Sequence, residues 1–125
     1  MVDRWGYGRS VVSHDDVRRI AGSLPGAHEQ ATYGGRPSWR TAPRMFTWIR
    51  DDPEALVVWL PSEEDKVAMI ASDPARFFTT PHYDGTPILL VSLDAVDVEE
   101  AREIITDSWR VRAPRALVKA WDATH

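Results

Sequence analysis

Two apolar segments, Met45–Ile49 and Leu56–Leu60, are separated only by the short polar stretch Arg50-Asp51-Asp52-Pro53-Glu54. A parallel crossover needs about a dozen residues, so two strands this close can only pair antiparallel. Pro and the acidic residues between them are turn chemistry. Leu56–Leu60 is almost wholly apolar, which suits a strand flanked on both sides and covered on at least one face. Met45–Ile49 alternates, with Phe46 and Trp48 expected on one face. A hairpin with one greasy face has to be covered, and the covering layer is legible on either side of it.

Before the hairpin, Ser13 caps a helix with Asp16 at its third position, and Val17, Ile20, Ala21 and Leu24 form one buried stripe. Leu24-Pro25-Gly26 ends it. A turn at Gly34-Gly35 precedes a short strand at Pro37–Thr41. After the hairpin, Ser62 caps a helix over Glu63–Ala71, with Val67, Ile70 and Ala71 facing inward. Phe77–Gly85 reads as an ordered, aromatic-rich loop and Ile88–Leu93 as a fourth strand. Asp97 opens a third helix with Glu100 at its third position and an inner stripe of Val98, Ala101, Ile105 and Ser108. Pro114 is expected at the first position of a last helix anchored by Leu117 and Trp121. The order is α, β, β, β, α, β, α, α. It implies an α+β fold: one antiparallel sheet with helices packed on one face. The 125 residues suit a single domain over 1–125, with 1–11 a loosely ordered extension.

Several function classes drop out. There is no Cys, which removes disulfides, Cys-bound zinc, iron–sulfur clusters and thiol catalysis. His14, His28, His82 and His125 show no metal-ligand spacing, and no metal or cofactor is expected. Gly34-Gly35-Arg36-Pro37-Ser38 lacks the ending and context of a phosphate loop, and no serine sits in GxSxG. No catalytic motif is recognised, so no enzymatic activity is assigned. Apolar runs are too short to span a bilayer, so no membrane partner is expected. Met1–Ser10 carries Asp3, Arg4 and Arg9 without an apolar core, so no secretory signal is expected and the cytoplasm is the default location.

What remains is arginine. The chain has thirteen Arg but only two Lys, against a formal net charge of −4. That net charge argues against a general polyanion binder. The charges are nevertheless segregated. Gln30–Arg50 holds Arg36, Arg40, Arg44 and Arg50 with no acid. Ser108–Trp121 holds Arg110, Arg112, Arg115 and Lys119 with no acid. Acid-rich Asp51–Asp65 and Asp94–Asp107 lie between them. Alternation puts Arg36, Ser38 and Arg40 on one side of the short strand and Trp39 on the other, where it joins the core with Trp109. Guanidinium forks beside hydroxyls suit phosphate or carboxylate. His82 and Tyr83, in Pro81-His82-Tyr83-Asp84-Gly85, are further candidates, though a loop histidine bonded to backbone is the plainer reading of His82.

The ordered set Leu24-Pro25-Gly26, Gly35-Arg36-Pro37-Ser38-Trp39-Arg40 and Met45-Phe46-Thr47-Trp48-Ile49 resembles the MmcQ/YjbR-like family. So do Pro81-His82-Tyr83-Asp84-Gly85 with the Ile88–Leu93 strand, and the closing Ser108-Trp109-Arg110-Val111-Arg112-Ala113-Pro114-Arg115. The resemblance spans roughly Val12 to Trp121. It implies a CyaY-like or "double wing" α+β fold and carries the family label of DNA-binding protein, a fold-level analogy. Three functions stay open. The first is a nucleic-acid-binding module using Arg36, Ser38, Arg40, His82, Tyr83, Arg110, Arg112, Arg115 and Lys119. The second is a pocket for a small anion lined by Arg36, Ser38, Arg40, His82 and Tyr83. The third is a protein-interaction adaptor with an apolar patch near Phe77 and Phe78.

Overall fold

The computed structural model describes residues 11–125. The N-terminal extension expected over residues 1–11 lies, but for Val11, outside them. Helix α1 (His14–Gly22) starts at Ser13 with the full reciprocal cap: Ser13 Oγ accepts from Asp16 N–H, and the Asp16 carboxylate accepts from Ser13 N–H. Val17, Ile20, Ala21 and Leu24 are all buried. Strands β1 (Ala27–Ala31), β2 (Pro37–Thr41), β3 (Arg44–Arg50) and β4 (Ala55–Trp59) follow as an antiparallel meander. Then come α2 (Glu63–Ser72), the two-residue β5 (Phe77–Phe78), β6 (Ile88–Val91), α3 (Val98–Arg112) and α4 (Arg115–Thr124). Short 3-10 turns lie at Pro81–Tyr83 and Leu93–Ala95. The strand order is β1-β2-β3-β4-β6-β5, antiparallel at every pairing, so β6 enters between β4 and β5.

The α+β expectation holds, with two strands more than expected. The first, β1, is Ala-His-Glu-Gln-Ala and mostly exposed. It pairs on one side only, as a polar edge strand, and carries no apolar alternation to announce it. The second, β5, occupies the first two residues of the segment expected to be loop.

One face of the sheet carries the core. Trp39, Phe46, Ile49, Leu56, Val58, Leu89 and Val91 pack against Val17, Ile20, Ala101, Ile105 and Trp109 of α1 and α3. Met69 and Ile70 of α2 and Leu117, Val118 and Trp121 of α4 complete that layer. Each fully buried Phe, Ile or Leu contributes about 1.5–3 kcal/mol. Two polar links lock α3 onto this face. Ser108 Oγ donates to Phe46 O and accepts from Trp59 N–H, and Trp109 Nε1 donates to Pro25 O at 2.9 Å.

Three local expectations are corrected. Phe46 and Trp48 do not share a face. The register between β2 and β3 shifts between Trp39 and Arg40, a bulge that leaves Phe46 unpaired and turned into the core. Trp48 pairs with Ser38 and Val57 on the opposite face, which no helix among the described residues is seen to cover. A bulge adds one residue to one strand and so breaks the period-two rule locally. In α2, Val67 is 62% exposed and Ala71 is exposed, whereas Lys66 is 4% exposed. The inward stripe is Lys66, Met69 and Ile70, turned one residue from the expected one. Finally, Pro114 is the N-cap of α4 rather than its first residue.

Candidate functional site

The bulge, the end of β2 and the junction of α3 and α4 meet at one corner. Arg112, in the last turn of α3, donates from Nε to Met45 O at 2.8 Å. Met45 is the cross-strand partner of Arg40. Arg44 donates from Nε to Arg112 O at 3.1 Å, and the Arg112 guanidinium lies 4.6 Å over the Trp59 ring. Arg44, Arg110 and Arg115 line a common cavity of about 330 Å³ together with Pro114 and Val118. Lys119 follows Arg115 by four residues on α4, which places both on one helix face. Thus residues 68 positions apart in the chain are joined by a direct hydrogen bond. Burial, and then the neighbouring Arg44 charge, push the Arg112 pKa down from its ordinary value. Two guanidinium groups held this close without an acid between them leave a local excess of positive charge.

The pairing of these cations divides the expected set. Arg36 bonds to Asp51 at 3.1 Å and donates from Nε to Ile49 O, and Arg110 is paired with Asp122. Arg40, Arg44, Arg112, Arg115 and Lys119 have no ion-pair partner among the described residues. Ser38 is on the expected face but fully buried, and its hydroxyl donates to Gln30 O, so it has no free donor to offer.

His82 and Tyr83 stand apart. Among the described residues, no hydrogen bond, ion pair or ring contact joins either to an arginine. His82 is exposed and makes an edge contact with the Tyr83 ring at 4.8 Å, without the backbone bond expected of it. The loop is anchored instead by the buried Lys66, whose Nζ donates to Tyr83 O at 2.7 Å and Thr86 O at 3.0 Å. The apolar patch expected near Phe77 and Phe78 is absent, since Phe77 is buried and Phe78 half-buried. Arg44 is the site residue that the sequence motifs passed over. Its signal was membership of the acid-free Gln30–Arg50 block, but only the β2–β3 turn brings it to Arg112.

A six-stranded antiparallel sheet with four helices against one face, and an arginine-rich corner where the third helix meets the third and fourth strands, define the class: a small α+β protein. The YjbR family model matches residues 22–111, and the chain belongs to the YjbR family. It is 38% identical to the uncharacterised protein Rv2570 of Mycobacterium tuberculosis, over 89% of this chain and 96% of that protein. The uncharacterised protein Mb2600 of Mycobacterium bovis matches to the same extent. Among solved structures, the DUF419-domain protein DR2400 of Deinococcus radiodurans superposes with a TM-score of 0.68 at 19% identity, covering 81% of this chain and 78% of that one. That likeness establishes the shared fold.

Proposed function

We propose that this protein binds the phosphate backbone of nucleic acid through Arg40, Arg44, Arg112, Arg115 and Lys119. One observation carries the reading. In a chain with nineteen acidic and fifteen basic side chains, Arg44, Arg112 and Arg115 gather at one corner, with Arg40 on the adjoining strand and Lys119 on the Arg115 face of α4, and none of the five is ion-paired within the described residues. A local cationic patch attracts polyanions even when the whole protein is acidic. Arg forks offer paired donors to phosphate oxygens, and Arg44 and Arg112 are already oriented by backbone carbonyls, which lowers the ordering cost of contact.

The test is fluorescence anisotropy with labelled single- and double-stranded DNA across a salt series. Five phosphate contacts on a duplex correspond to a slope of log K against log salt of about −4.5. Arg115→Ala with Lys119→Ala removes two exposed contacts, so the slope falls by about 1.8. Absence of binding at low salt, or binding that the double variant leaves unchanged, overturns the proposal.

A further inference from the structure

A cleft of about 580 Å³ lies on the side of the sheet opposite helices α1, α2, α3 and α4, lined in part by Tyr33, Arg36, Met45, Trp48, Arg50 and Asp51. Its volume is in the range of small-ligand sites. Tyr33, at the tip of the β1–β2 turn, is fully exposed, so its ring contributes almost nothing to the core. Trp48 is half-buried and has no stacking partner among the aromatic contacts of the described residues. Two aromatic rings on one cleft form a platform for a flat, unsaturated group.

The polar groups of the cleft are set for an anion. Arg36 is held through Nε by Ile49 O and through Nη1 by Asp51, while its Nη2 is buried with no hydrogen-bond partner. A buried donor left without a protein partner is costly and points to a missing acceptor. Arg50 is held through Nε by Asp51 O and through Nη2 by Asp52 O, which leaves Nη1 unspent. Arg36, Arg50 and Asp51 together carry one net positive charge, the complement of a single phosphodiester.

We infer that this cleft seats one unpaired nucleotide of a single-stranded nucleic acid, with its base against Trp48 and Tyr33 and its phosphate on Arg36 and Arg50. The inference rests on the phosphate-binding reading of the arginine corner and names which nucleic acid that surface takes. A paired base is enclosed in its helical stack and cannot reach such a platform, whereas a single strand presents its π-faces.

The full chain is titrated with a short labelled oligothymidylate, with the corresponding thymidylate–adenylate duplex and with thymidine monophosphate, following anisotropy and tryptophan quenching. The single strand is expected to bind at least tenfold more tightly than the duplex and to quench tryptophan emission. Trp48→Ala should weaken single-strand binding about ten- to a hundredfold, the scale of one lost base–aromatic stack, while Trp48→Phe keeps most of it. Tyr33→Ala changes a fully exposed side chain, so it keeps the test decisive if Trp48→Ala fails to fold; about fivefold weakening or more is expected. Equal single-strand and duplex affinity with Tyr33→Ala and Trp48→Phe both neutral overturns this inference and leaves the phosphate surface standing. Monophosphate binding as tight as the strand's overturns it in favour of a small-ligand site. No binding of either polymer overturns both readings.

Discussion

Replacing Ser108 by alanine removes a fully buried side chain that hydrogen-bonds α3 to two strands at once. Its hydroxyl is fully buried, donates to Phe46 O and accepts from Trp59 N–H at 2.8 Å, so both hydrogen-bonding roles are used. Alanine fits the space but leaves one buried carbonyl and one N–H without this partner. Each such group costs about 1–3 kcal/mol, and the gain in helix propensity returns only about 0.5 kcal/mol. The net loss is therefore about 1.5–5.5 kcal/mol, a large share of the stability of a domain this size. Urea unfolding followed by circular dichroism measures it, with an expected midpoint shift of about 1–3 M for a slope of about 2 kcal/mol per M. The bulge lies at one end of this link and Arg112 is one helical turn beyond it. A loosened seam should therefore also weaken DNA binding at the arginine corner. A stability loss below about 0.5 kcal/mol refutes the reasoning, because the two backbone groups would then be satisfied without Ser108.

Two further predictions concern the remaining polar devices. Lys66→Met keeps the aliphatic stem but deprives Thr86 O and Tyr83 O of the ammonium donor; stability should fall by about 1–2 kcal/mol, with faster amide exchange confined to the segment around Tyr83–Ile88. Unchanged exchange there would show that Lys66 does not hold the loop. At α1, the Ser13 N–H, with the Ser13 hydroxyl and Arg19 nearby, holds the Asp16 carboxyl below its ordinary pKa. A carboxylate more acidic in the folded state stabilises above its unfolded pKa and loses that contribution as pH falls through the folded one. Asp16→Asn should then cost about 0.5 kcal/mol at neutral pH, the scale of a screened charge at a helix N-terminus, and the difference from wild type should vanish as urea midpoints are measured into the acid range. An equal difference at both ends of the series contradicts the titration argument.

Signals carried by near neighbours in the chain survive folding almost unchanged. The caps at Ser13, Ser62 and Asp97 act within three residues, so the starts of α1, α2 and α3 are readable directly. The short Arg50–Glu54 link makes β3 and β4 antiparallel whatever else the chain does. The stripe Ala101, Ile105 and Ser108 identifies the buried side of α3 for the same local reason.

Other features depend on what arrives from far away. The polar β1 exists because β2 offers it a ladder. Phe46 and Trp48 part company because a bulge in their own strand, β3, inserts Phe46 as an extra residue turned into the core, and no periodicity in Met45–Ile49 records that. Lys66 is buried because two carbonyls of a distant loop satisfy its ammonium, which outweighs the hydropathy that favoured Val67. The candidate site divides in the same way. Alternation placed Arg36, Ser38 and Arg40 on one face of β2. Which arginines remain unpaired depends on which acid folds opposite each one: Asp51 reaches Arg36 and Asp122 reaches Arg110, while no acid among the described residues pairs with Arg40 or Arg112. Composition and spacing determined that arginine would dominate two stretches of this chain and that helices would cover one face of its sheet. Only the tertiary structure decided that Arg44 meets Arg112 across 68 residues and which acid meets which arginine, because ion pairing and burial are set by distance in space.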